Sequence, residues 1–325
     1  MTRSRTKGNE RTDSHERPFT VKQPQIGIID IGSNTIRLCT YALPDRSEAA
    51  PVKTFTEKKS VGLSAYVRDG IMTERGIKAA AKAIANQMQH ARLMGCQEVR
   101  LFATAALRNC RNSAEATRAL AERVGARIDI LSARQEAEFG FLGIKAELDA
   151  TDGMAVDIGG GSTELTYVKD GNVVRCCSIP TGSLSLWNAH VAGIVPNADE
   201  LAACTRAFLR ALDESRFEIP RVPRLFGTGG TIRNAARVIA FRAEGTDAAT
   251  FTAAQLDDLL SYATEEPGSY ARAILAVEPA RIHSLTPGTA ILRAVFERSG
   301  ARSIAVSKSG VREGYLHNLL ATRTA

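Results

Sequence analysis

Long apolar runs are missing from this sequence. Nothing approaches the roughly eighteen consecutive apolar residues that a membrane-spanning helix needs, so no membrane partner is expected. The first residues also lack the apolar stretch of a secretory signal. The six cysteines, Cys39, Cys96, Cys110, Cys176, Cys177 and Cys204, form no C-x-x-C pair and no zinc spacing. Free thiols in a reducing cytoplasm are the expectation. The five histidines are not spaced for a metal either, and His283 falls in a loop-like stretch. The lone tryptophan, Trp187, is expected to pack in the core rather than stack on a ligand. No G-x-x-x-x-G-K-[ST] occurs, which excludes the P-loop class. The glycine clusters also lack the spacing and following acid of a Rossmann fingerprint.

What is present is enough for two domains of ordinary size in 325 residues. A hydrophobic share of 44% with 24% charged residues is that of a globular protein. The net charge of +7 leans towards polyanions, which covers nucleotides, phosphate chains and nucleic acid alike.

Residues 1–24 are polar, charged and without period, and read as a disordered basic tail. From Ile26 an apolar strand leads to Asp30-Ile-Gly-Ser-Asn, and residues 36–41 read as the return strand of a hairpin. Residues 74–95 predict an amphipathic helix, 99–104 a strand, 106–125 helices, 127–131 a strand and 132–148 a helix. A second hairpin follows at 153–168, continued by a strand at 173–179. Beyond it come a helix at about 199–212, a strand at 224–226 and the turn Gly227-Thr-Gly-Gly-Thr231. Helices are expected from near Arg233, at 253–263 and at 287–298, with a last strand at 303–307. Hairpins followed by alternating strands and helices, twice over, predict two related α/β domains, 25–147 and 148–307. Residues 308–325 read as a C-terminal helix that can return to the first domain.

The two hairpins carry the same device. Each places an Asp at the end of an apolar strand and glycine immediately after it, Asp30-Ile-Gly32 and Asp157-Ile-Gly159. Glycine lets the backbone wrap closely around a ligand, and successive exposed N–H groups make an anion-binding concavity. The expected phosphate-binding residues are Gly32, Ser33 and Asn34, then Gly159, Gly160, Gly161, Ser162 and Thr163, and in the third turn Gly229, Gly230 and Thr231. An Asp beside such a turn suits a hydrated Mg2+, which prefers oxygen ligands and substrate phosphates. Asp157 and Asp30 are the candidate metal ligands.

Two Asp-Ile-Gly turns in paired α/β halves resemble the acetate and sugar kinase, Hsp70 and actin superfamily, with its two RNase H-like domains and interdomain cleft. Within it the chain resembles the exopolyphosphatase and guanosine pentaphosphatase (Ppx/GppA) family. The resemblance is carried in order by DIGSN at 30, ATAALRN at 103, SARQEA at 132, DIGGGSTEL at 157, GTGGT at 227, PGTAIL at 287 and GVREGYL at 310. Longer relatives continue into a helical C-terminal region, and the chain resembles the short two-domain members.

The resemblance implies Mg2+-dependent removal of terminal orthophosphate from inorganic polyphosphate, by a homodimer. Guanosine pentaphosphate is the near alternative substrate. An ATP-dependent kinase of the same superfamily and a sensor that binds polyphosphate or nucleotide without turnover are the further alternatives. Nucleic acid is not expected as the partner. The resemblance places the catalytic carboxylate at Glu136, with Glu164 orienting water or metal and Arg108 reaching phosphate oxygens. From the residues alone, Ser132-x-x-Gln135 also reads as a capping box, with Glu136 complementing the helix dipole. Arg37 and Arg312 can serve phosphate or pair with carboxylates. The chain departs from the family pattern at Ala133, Arg134 and Gln135, and again at Lys308, and these departures are expected to add positive charge near the mouth of the cleft.

Overall fold

The computed structural model describes residues 23–44, 50–245 and 248–324. All but the end of the expected basic tail therefore lies outside the described residues. Sheet I contains β1 (Gln25–Ile31), β2 (Thr35–Ala42) and β3 (Val52–Ser60). After a small hairpin of β4 (Val67–Arg68) and β5 (Ile71–Met72), it is completed by β6 (Cys96–Ala103) and β7 (Ile128–Ile130). Its order is β3-β2-β1-β6-β7, antiparallel through β1, β2 and β3 and parallel from β1 to β7.

Sheet II contains β8 (Gly153–Ile158), β9 (Thr163–Lys169), β10 (Asn172–Ile179), β11 (Leu225–Thr228), β12 (Thr250–Thr252) and β13 (Ser303–Val306). Its order β10-β9-β8-β11-β13 repeats that of sheet I, with β12 added at the edge. The duplication seen in the two glycine hairpins thus extends to the whole topology. The central strands β1 and β8 are almost continuously apolar because helices cover both their faces. Polar β3, the open edge of sheet I, is half exposed, and its Lys-rich sequence suits an edge.

In the first half the helices are α1 (Glu74–Leu93), α2 (Ala105–Arg108), α3 (Ser113–Val124) and α4 (Ala133–Lys145). The second half holds α5 (Ser183–His190), α6 (Ala198–Glu214), α7 (Gly229–Arg242), α8 (Ala253–Glu265), α9 (Pro267–Val277), α10 (Leu285–Ser299) and α11 (Val311–Thr324). Helix α1 starts at Thr73, whose hydroxyl accepts from the Gly76 N–H, and it buries Ile77, Ala80, Ile84 and Met88 at helical spacing. With Leu120 of α3 these residues cover one face of sheet I.

The other face of sheet I is covered from far along the chain. Tyr315 and Leu316 of α11 pack on Ile26, Ile28, Tyr41 and Phe102. Helix α4 does the reverse, since it follows sheet I but packs Phe141 and Ile144 against Ala155, Val168 and Phe226 of sheet II. The two helices cross between the sheets at very close range. A Cβ on Gly143 would overlap the backbone of Gly310, and one on Gly314 would overlap the Phe139 carbonyl. Only glycine fits at such a backbone-on-backbone crossing. The outer face of sheet II carries the largest core, built from α5 to α10 around Phe208, Ile232, Leu256, Tyr270 and Ile291.

Several elements differ from the sequence reading. Strand β3 and helices α5 and α9 have no counterpart in it, and α7 begins at Gly229 rather than near Arg233. Gly229 has φ of +83°, which turns the strand end directly into the helix. All six cysteines are free, and Cys39, Cys96, Cys110 and Cys204 are buried. Trp187 is half-buried, with its ring edge-on to His283 and its N–H donating to the Ile194 carbonyl at 3.3 Å. Among the described residues no helix is long and apolar enough to cross a membrane.

Candidate active site

The two glycine hairpins face each other across the cleft and meet. A Cβ added to Gly161 would press on the Ser33 side chain, and one on Gly160 would touch Leu184, Ser33 and Asn34. Together with the N-terminus of α7 they enclose a cavity of about 140 Å³. Asp30, Gly32, Ser33 and Asn34 line it from the first domain, and Asp157, Gly159, Gly160, Gly161, Ser162 and Glu164 from the second, with Gly229 and Gly230 at the third turn. Glu136 closes one side.

Two expected phosphate ligands do not reach the cavity. Thr163 is fully buried, and its hydroxyl donates to the Thr181 carbonyl at 2.8 Å. Thr231 is fully buried as well, and its hydroxyl donates to the Ile158 carbonyl at 3.1 Å, pinning the second hairpin to α7. Strand alternation explains the first, since Thr163 is the residue at which β9 turns its side chain inward.

Glu136 stands in the first turn of α4 and lines the cavity. Ser132 and Gln135 form the capping box, which leaves the first-turn Glu136 free to face inward, where it is 7% exposed. Arg108, at the end of α2, donates to Glu136 at 2.5 Å and to the Leu131 carbonyl at 3.1 Å. Its other nitrogen lies 3.4 Å from Ser178, whose hydroxyl donates to Glu164 at 2.8 Å. Arg108 therefore orients Glu136, and the network ties Glu136 to Glu164.

Burial pushes the Glu136 carboxyl up to about 7, against the pull of Arg108 and with help from Asp157 and Asp30. Burial also raises Glu164, reinforced by Glu136 and Asp157, and it raises Asp157 despite the nearby Arg233 and Arg312. Carboxyls with raised pKa, converging on one cleft, are the arrangement expected where protons are moved.

The opposite charge is more abundant than the sequence suggested. Arg37, Arg233, Arg281 and Arg312 all line the cavity. Arg312 donates to Asp30 at 2.8 Å. Burial works against its proton, but Asp30 holds its pKa above the ordinary arginine value. Burial lowers Arg233 to about 10, helped by repulsion from Arg312 and Arg37. Buried Nε atoms of Arg37, Arg281 and Arg312 have no hydrogen-bond partner. Buried donors are normally satisfied, so three orphaned guanidinium nitrogens around one cavity point to an anion. Arg233 and Arg281 were invisible in the sequence reading. One lies on a helix and the other in the 3-10 turn Pro279–Arg281, and no local pattern says that they meet.

The GVREGYL segment is tied to sheet I. Beside the Arg312 pair, Glu313 accepts from Tyr41 at 2.8 Å and from the Gly310 N–H at 2.9 Å, and pairs with Lys53 at 2.5 Å. Arg312 and Lys53 hold the Glu313 carboxyl at about 2 despite the opposing effect of burial. The departures from the family pattern lie elsewhere. Ala133 and Arg134 line a separate outer groove with Arg175 and Arg216, Gln135 caps α4, and Lys308 is exposed outside the cavity. Arg134 is paired with Glu138 at 2.7 Å. The extra charge expected at the mouth is therefore not in the cavity wall.

Magnesium takes one or two protein carboxylates and leaves the rest of its shell to water and substrate phosphate. Among the described residues no three His, Cys, Asp or Glu groups cluster for a metal. Asp157 beside a phosphate-type turn fits that sparse mode, whereas Asp30 is already engaged by Arg312.

The chain is similar to several known proteins. A Haemophilus influenzae protein provisionally named an exopolyphosphatase is 22% identical over 298 residues, covering 91% of both chains. Exopolyphosphatase 1 of Mycobacterium leprae is 27% identical over 161 residues, 49% of this chain and 47% of that relative, so the match spans about half its length. The crystal structure of an exopolyphosphatase from Cytophaga hutchinsonii superposes with a TM-score of 0.79 at 21% identity, over 92% of this chain and 98% of the other. The chain therefore shares the paired α/β fold of that structure, with two sheets of the same strand order. The family profile described as the Ppx/GppA phosphatase family matches residues 46–323, and the chain belongs to that family.

Proposed function

We propose that the protein is a Mg2+-dependent phosphohydrolase that releases terminal orthophosphate from inorganic polyphosphate. The observation that carries this reading is Glu136, buried, oriented by Arg108 at 2.5 Å and poised at about 7, in a cavity ringed by arginines and glycine turns. Cleaving a phosphoanhydride by water depends mainly on positioning and charge neutralisation. The glycine turns offer N–H donors to the phosphate oxygens, and Arg37, Arg233, Arg281 and Arg312 offset their charge. Glu136 accepts the proton of the attacking water. A carboxyl near 7 is basic enough to take that proton and still ionised in a useful fraction at neutral pH. Glu164, linked through Ser178 and Arg108, keeps Glu136 in place. Bound Mg2+, held by Asp157, would draw charge from the phosphate oxygens.

The test is orthophosphate release from polyphosphates of several lengths and from guanosine pentaphosphate, with and without Mg2+. Release from polyphosphate that requires Mg2+ is expected. Release only from guanosine pentaphosphate would move the assignment to the nucleotide, and transfer only to an added acceptor would make the protein a kinase.

A further inference from the structure

The cationic wall does not stop at the cavity. Lys58 on β3 lies directly opposite Arg37 on β2, so the two side chains share one face of sheet I. Lys58 is one strand further out, on the edge strand, and its side chain is 23% exposed. From the second domain, Arg281 and the α7 residue Arg237 approach the same place. Among these cations stands Glu278. One of its oxygens is 3.4 Å from Lys58 and the other 3.9 Å from Arg237. Its backbone carbonyl accepts from the Arg281 N–H at 2.9 Å, which fixes the turn. A carboxylate 220 residues from Lys58 thus bridges the two domains beside the cavity arginines.

We propose that Glu278 is a charge selector at the mouth of the site. It holds the place of a phosphate among Lys58, Arg237 and Arg281, and a polyanion long enough to reach the rim displaces it. The inference rests on the reading that the cavity binds the end of a phosphate chain. The pair sits where its cations continue the line of Arg37 across the strands. The pair is also easily broken, since partly exposed ion pairs are weak and screened. The cations repel one another, and burial, then Arg281 and Arg37, disfavour the charged form of Lys58, which Glu278 partly offsets. A phosphate chain brings more charge to the spot than one carboxylate and is the stronger competitor. A short substrate ends inside the cavity and never meets Glu278.

Titration calorimetry of the full chain with tripolyphosphate and with a long-chain polyphosphate tests this, using the parent, Glu278→Gln and Lys58→Gln. Glu278→Gln should bind the long chain about two- to fivefold more tightly, the size of one partly exposed charge contact. The gain should shrink as salt is raised. Lys58→Gln should weaken the long chain by a similar factor, and tripolyphosphate should change less in both variants. Equal shifts for both substrates, or none in Glu278→Gln, would overturn the selector and leave the cavity reading intact. A parent that binds neither substrate would remove both. Binding without orthophosphate release would remove the hydrolase reading alone.

Discussion

The first and second glycine hairpins share a backbone and differ in what crosses it. In sheet I the row across the strands runs Asp30, Arg37, Lys58. In sheet II the corresponding row runs Asp157, Glu164, Ser178. The turns between them are alike, Asp-Ile-Gly in both, and both line the cavity. One row has been filled with cations and the other with acceptors and a hydroxyl. On the reading proposed above, the first hairpin holds the substrate and the second, with Glu136, handles the water and the metal. A duplicated fold thus supplies two equivalent cradles, and single side chains on the neighbouring strand decide which task each performs.

That division can be broken most directly at Glu136. Glu136→Gln keeps size and much of the hydrogen bonding but accepts no proton, so turnover should fall by about 10²–10⁴-fold while polyphosphate affinity holds or rises. In the parent, turnover should climb as pH rises through about 7, where Glu136 becomes ionised, and the variant should lose that climb. A variant within a few-fold of the parent would move the base elsewhere, with Glu164 the first candidate.

Arg37→Met tests the holding side. Losing a charge-assisted hydrogen bond of about 1.5–3 kcal/mol should raise KM by about 10–100-fold with a much smaller change in kcat. A fall in kcat at unchanged KM would erase the contrast between the hairpins. Asp157→Asn should shift the Mg2+ titration several-fold to higher concentration, because a neutral amide is a poorer ligand for a hard cation. An unchanged titration at normal turnover would take Asp157 out of the metal shell.

The smallest expected effect is on stability. Glu136 and Glu164 both have folded pKa values raised above the ordinary carboxylate value of 4.5. The stability this contributes is complete below about 4.5 and is lost as pH rises through the raised folded values, about 7 for Glu136. Thermal melts should therefore show a flatter fall of Tm with rising pH in Glu164→Gln than in the parent. An equally steep fall would mean that the acidic row is not held near neutrality.

Much of this was legible because it is written locally. The Asp-Ile-Gly hairpins, the α4 cap and the inward Glu136 each depend on residues a few positions apart. What escaped depends on distance. Strand β3, with its Lys58 and Lys59, carries the polar pattern of an exposed edge and gives no apolar run to detect. Arg233 and Arg281 enter the cavity from elements whose own periodicity describes only how they pack. Thr163 and Thr231 look like phosphate donors by composition. Which way each points is set by the strand register and by α7 docking on the Ile158 carbonyl.

The exchange of α4 and α11 between the sheets bears on how the chain is made. Ile26, Ile28 and Tyr41 are synthesised well before the helix that covers them, and Tyr41 meets its partner Glu313 272 residues later. Until then that face of the first sheet lacks Tyr315 and Leu316 and is only partly covered, by Leu131 and Phe139. Folding in the order of synthesis cannot finish the first domain by itself. Nascent chains should bind chaperones over β1 and β2 until α11 emerges.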